Sequence, residues 1–127
     1  MRFMIMHKLD QNNPAAYSPD AAFIATMGAF VQEMTDAGVL LAGDGLRPTS
    51  KEDATRITAT GGRTTVTDGP FTETKELIAG FLMVEVRDKA EAVEWARRYA
   101  DIFTASLGEV EVDVRRVTEM ADLEALA

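Results

Sequence analysis

The chain has no cysteine. Disulfides, thiolate nucleophiles and cysteine-ligated metals are therefore excluded. It has a single histidine, His7, which with no cysteine cannot make a zinc site of the usual kind. A carboxylate-only Mg²⁺ or Ca²⁺ site has no recognisable spacing either. No apolar run approaches the roughly 20 residues that span a bilayer. The first residues, Met1 to Lys8, have an apolar core too short for a signal peptide and no small-residue cleavage site. Basic residues are scarce: 13 Lys and Arg against 21 Asp and Glu leave a net charge of −8. Nothing gathers the cations on one element, which argues against binding a phosphate backbone. Phosphate loops, dinucleotide-binding glycine fingerprints and nucleophile elbows are missing too. The expectation is a cytoplasmic protein with no cofactor, no metal, no nucleic-acid partner and no membrane partner.

What is present is ordinary for a globular domain: 127 residues, 46% hydrophobic and 27% charged. One domain over residues 1–127 is expected. Residues 2–8 read as a strand with apolar groups on both faces, Phe3, Ile5 and His7 alternating with Met4 and Met6. Residues 10–17 are turn-rich and read as a loop. Ser18-Pro19-Asp20 starts a helix, with Ser18 as the expected cap. Phe23, Met27, Phe30 and Met34 then share a face, and Gly38 stops the helix. Val39 to Ala42 reads as a short buried strand. Residues 54–60 and 63–67, joined by Gly61-Gly62, make a strong hairpin signal. Residues 77–86 form a second strand that is apolar on both faces. Asp88 caps a second helix with Glu91 in a capping-box position, and Ala92, Trp95, Ala96, Tyr99, Ile102 and Phe103 are its buried face. Residues 109–117 alternate strictly, as in a strand with one wet face. Residues 119–127 suit a short terminal helix.

The order β-α-β-hairpin-β-α-β predicts an α+β, ferredoxin-like split βαβ fold with an inserted β-hairpin. Strands 2–8 and 77–86 are expected at the centre and the last strand at an edge. Two helices cover one sheet face, so the other is left apolar and open. A second copy, sheet against sheet, is its natural cover, which predicts a homodimer.

The most distinctive stretch is Asp68-Gly69-Pro70-Phe71-Thr72-Glu73-Thr74-Lys75-Glu76, followed by Ile78-Ala79-Gly80-Phe81. With the opening strand ending near His7, the run Ala37 to Leu46 and the end Val110 to Val117, it resembles the DGPF-type branch of the YCII-related family over nearly the whole chain. The resemblance implies a dimeric α/β-barrel of ferredoxin-like protomers. It implies no known reaction, because that branch is largely uncharacterised. Related proteins are suspected of acid–base chemistry through a His–Asp pair near the first strand. DGPF-type members are often associated with alternative sigma factors, some relatives with degradative enzymes. This sequence departs from the family at its C-terminal end, which lacks a proline, and at its opening strand, which carries His7-Lys8 where many members have a tyrosine-containing sequence.

The residues offer the following chemistry. His7 closes a central strand and is a candidate general base; the bland alternative is a core histidine bonded to a backbone carbonyl. Asp44, between Gly43 and Gly45, is its candidate carboxylate partner, against the alternative of a solvated turn residue. Asp68, also a candidate ligand contact, is expected to accept backbone N–H bonds and hold the Gly69-Pro70 bend, with Phe71 buried and anchoring the loop to the core or the dimer partner. Lys75 and Glu76 are candidate ligand contacts at a pocket rim, against a solvated charge run. Two functions follow: a small-molecule site doing metal-free proton transfer, or a non-catalytic ligand sensor or interaction module in a sigma-factor-linked transcriptional stress response.

Overall fold

The computed structural model describes residues 1–50, 52–71 and 76–127, and the side chain of Glu76 lies outside that description. Six strands and three helices follow in the order β1 (Arg2–Asp10), α1 (Ala21–Asp36), β2 (Leu40–Gly45), β3 (Thr55–Thr60), β4 (Arg63–Asp68), β5 (Glu76–Glu85), α2 (Lys89–Leu107), β6 (Glu111–Arg116) and α3 (Met120–Glu124). The main sheet runs β2-β5-β1-β6, with every neighbouring pair antiparallel. That is the ferredoxin-like order. The two doubly apolar strands are central and β6 is at an edge, as the alternation patterns require.

Local chemistry sets the helix ends. Asp20 caps α1, its carboxylate accepting from Phe23 N at 2.8 Å. Ser18, the expected cap, is instead the residue after a 3₁₀ turn over Pro14–Tyr17, so the chain needs two more residues before the helix begins. Gly38, at φ +73°, reverses the chain after α1, and Gly108, at φ +85°, does so after α2. Asp88 caps α2 by accepting from Glu91 N. The Glu91 carboxylate bonds Arg87 N, one residue before the cap, rather than closing the expected box on Asp88.

Both long helices pack on one face of the sheet. Burial along β1 alternates strictly: Phe3, Ile5, His7 and Leu9 are buried, and the residues between them are half-buried. The core joins these to Phe30 and Met34 of α1, Leu82 and Val84 of β5, and Ala92, Ala96, Tyr99 and Phe103 of α2. Strand β2 departs from expectation. Its Leu40 is half-buried, whereas the residues from Leu41 to Gly45 are exposed. An edge strand with helices on one side has little to bury against.

The β3–β4 ribbon stands apart as a two-stranded sheet. Gly61 and Gly62 both take positive φ, which the two-residue turn requires. Its cross-strand pair Ile57 and Val66 is 66% and 65% exposed. The Gly69–Pro70 peptide is cis.

Candidate functional site

Apart from the phenol of Tyr99, His7 is the only buried polar or charged group among the described side chains. Its position follows from the sheet register. On the helix-covered face, Val112 of β6, His7 of β1, Gly80 of β5 and Gly45 of β2 form one row. Gly80 makes room for the imidazole itself, and Gly45 leaves the row open beyond it. The need for glycine is steric: a Cβ on Gly80 would lie 2.5 Å from His7 Cε1 and 2.7 Å from the Asp44 carbonyl oxygen. The register between β1 and β5 shifts by one residue next to His7, with Ala79 as the extra residue. Such bulges re-aim side chains near sites.

From above, α2 supplies Tyr99 and Phe103, one turn apart. Phe103 stacks on the imidazole at 4.3 Å between ring centroids, and Phe23 of α1 packs on Phe103 at 5.2 Å. The Tyr99 hydroxyl lies 2.5 Å from His7 Nδ1. Burial opposes charge on both groups. It lowers the His7 pKa from its ordinary 6.5 to about 4 and raises that of Tyr99. At neutral pH the site therefore holds a neutral imidazole and a protonated phenol.

This pair opens onto a cavity of about 350 Å³ between the helices and the β1-β5-β2 side of the sheet. Leu9, Phe23, Met27, Val31, Leu82 and Leu107 give it apolar walls, and His7, Tyr17, Tyr99 and Ser106 bring polar atoms to it. Volume and lining are those of a small-molecule site.

Asp44 borders the same cavity but is not joined to His7. It pairs with Phe81 across the strands, and Phe81 pairs with Met6. Strand alternation thus turns the Asp44 side chain toward the helix-free face, away from the imidazole. Its main chain is what lies beside Gly80 and His7. Among the described residues the ring's hydrogen-bond partner is Tyr99.

The residues of the DGPF stretch are distributed differently from the sequence expectation. Asp68 ends β4, and its carboxylate accepts from Thr55 Oγ1 at 3.2 Å across the ribbon. Gly69 is held by Ala54 O, and its Cβ would lie 2.6 Å from Thr49 O, so a close backbone approach fixes this glycine. Phe71 is half-buried rather than buried, with the Arg56 guanidinium 4.1 Å above its ring. Its backbone is tied to Gln11 and Thr49. Within the chain a cation, rather than the core, covers the ring face. Lys75 lies outside the described residues. Glu76 opens β5, paired with Asp10.

Sequence reasoning placed Tyr99 and Phe103 on a buried helix face without joining them to His7. The available signal was the phenol itself. A tyrosine on the apolar stripe of a helix needs a partner for its hydroxyl, and the chain's lone histidine sits on the strand below. Among the described residues no group of three or more His, Asp or Glu side chains is gathered as a metal would require. No helix among them is long and apolar enough to cross a membrane.

A sequence model of the YCII-related domain matches residues 1–121. An uncharacterised protein of Rhizobium meliloti (strain 1021) is 31% identical over 99 residues, covering 76% of this chain and 78% of the relative.

Proposed function

The chain belongs to the YCII-related family, and on that premise we propose that it is a small-molecule-binding protein whose ligand occupies the His7–Tyr99 cavity. The observation that carries this reading is a neutral, hydrogen-bonded polar pair at the base of an apolar cavity. A general base at neutral pH needs a pKa near 7 and, in the expected dyad, a carboxylate to orient it. His7 has a lowered pKa and a phenol partner. These two facts favour a ligand sensor over an acid–base enzyme, and the ligand contacts expected of Lys75 and Glu76 belong to the same proposal. The association of DGPF-type relatives with alternative sigma factors gives such a sensor a setting in transcriptional stress responses.

A homodimer completes the proposal. Met4, Met6, Phe81 and Met83 are half-buried on the helix-free face, and Ile78, opposite Lys8, is 50% exposed there. Charged pairs flank the patch, with Lys8 on Glu111 and Asp113 and Arg2 on Glu119. An apolar centre with a polar rim is how protein interfaces are built.

Two measurements test the proposal. A neutral apolar dye such as Nile red should bind saturably, one per chain. Gly45→Leu should block it, because a Cβ there meets nothing closer than Ala79 O at 3.9 Å and the side chain can fill the cavity. Dye binding unaffected by Gly45→Leu rejects the site. Sedimentation at micromolar concentration should give about twice 13.8 kDa, and Met83→Glu should return the protein to one copy.

A further inference from the structure

The His7–Tyr99 contact decides which imidazole nitrogen carries the proton. The Tyr99 hydroxyl has one hydrogen, and among the described residues its partner is His7 Nδ1. Were Nδ1 protonated, it would donate to the phenol oxygen, and the buried hydroxyl hydrogen would be left without an acceptor. Leaving a buried donor unmade is costly. The arrangement that uses both groups has Tyr99 donating to a bare Nδ1, which puts the proton on Nε2. Among the described residues no buried side-chain nitrogen or oxygen lacks a partner. Because Nε2 makes no hydrogen bond there, it keeps access to the cavity that His7 lines. Phe103 stacked on the ring and the tight fit of Gly80 against Cε1 hold that aim.

The cavity therefore presents a fixed N–H donor at the base of apolar walls. Resting on the reading that this cavity is a binding site, we infer that its ligand is an uncharged carbonyl compound with an apolar body, such as a ketone, ester or lactone, whose oxygen accepts from His7 Nε2–H. A carbonyl oxygen accepts without bringing a hydrogen of its own. A carboxylate would lose its hydration among Leu, Phe and Met side chains and meet a neutral donor instead of a cation. Burial keeps the imidazole from becoming that cation at neutral pH.

The test uses the full chain and a pair of probes with one skeleton, acetophenone and benzoate. His7 is the chain's only histidine, so its ring nitrogens can be followed individually by ¹⁵N NMR. The free protein at pH 7 should show the Nε2–H form. Acetophenone should shift the Nε2 signal and displace Nile red about tenfold more strongly than benzoate does, because the carboxylate gives up its hydration among the apolar walls. Tyr99→Phe, which removes the donor to Nδ1 and keeps the ring, should release the tautomer and weaken acetophenone displacement several-fold. An Nδ1–H form, benzoate binding as well as acetophenone, or displacement by neither probe overturns the inference while dye binding leaves the cavity reading standing. If Nile red does not bind either, both fall together.

Discussion

Neighbouring residues of β1 live in different solvents. Ile5 is fully buried under the helices, whereas Met4 and Met6 on either side of it are half-buried on the helix-free face. The covered face uses shaped, branched and aromatic side chains together with the one buried polar pair. The open face uses methionine at Met4, Met6 and Met83 beside Phe81. Flexible thioethers suit a surface that must adapt to whatever covers it, while branched and ring side chains suit a core with one arrangement. The strand therefore has two environments: its odd residues join the core, with His7 and Leu9 lining the cavity, and its even residues are half-buried on the helix-free face.

The sharpest way to break that comparison is to truncate adjacent residues. Ile5→Ala should cost about 2–5 kcal/mol in urea unfolding. Met4→Ala should cost less than about 1 kcal/mol in dilute solution and more as the concentration rises, if a second copy covers it. Equal, concentration-independent losses would mean that the two faces are not different.

The next effect belongs to the covered face alone. His7 titrates at about 4 when folded, below its ordinary 6.5. Between those values the unfolded chain binds the extra proton, so the contribution is complete above the ordinary value and is lost as pH falls toward the folded one. The shift is worth up to about 3 kcal/mol. Stability should fall from pH 7 to pH 5 in the parent and fall much less in His7→Gln. Identical pH profiles would show that the imidazole titrates as freely folded as unfolded.

A smaller change tests the close fit beneath the imidazole. Gly80→Ala should destabilise by about 1–3 kcal/mol, the usual cost of overpacking, and should move the His7 ring signals. Gly43→Ala makes a useful contrast. Its Cβ would lie 2.8 Å from Leu82 Cδ2, the end of a flexible side chain, so it should cost less. A silent Gly80→Ala would mean that the ring is not held by this contact. The smallest effect is expected in the ribbon, where Ile57→Thr exchanges an exposed β-branched residue for another and should stay within about 0.5 kcal/mol. A larger loss would reveal a partner on Ile57 and Val66.

The order of elements, the central position of the two doubly apolar strands and the Gly61-Gly62 turn were all legible, because each rests on periodicity or on a backbone conformation that few residues adopt. The cap of α1 was misread by two residues, since Ser18 and Asp20 are both competent caps and only the preceding 3₁₀ turn chooses between them. The exposure of β2 was misread because its apolar letters say nothing about a neighbour that is missing. At the candidate site His7 and the hint at Gly80 were legible, and the pairing with Asp44 was not resolved. Sequence proximity to glycines suggests that a side chain can be aimed, but register decides to which face.

By itself, the sequence determined the antiparallel scaffold and its order, the exclusion of thiol chemistry, and the presence of one imidazole near the end of a central strand. These follow from residue type and from periods of two and 3.6, which are local properties. Only the tertiary structure decided that Tyr99 rather than Asp44 meets that imidazole. It also showed that Gly80 makes room for that ring while Gly45 leaves the row open beyond it, and that Phe71 sits under Arg56. Each of those depends on strand register or helix placement across many residues, where a shift of one position exchanges the two faces of a strand.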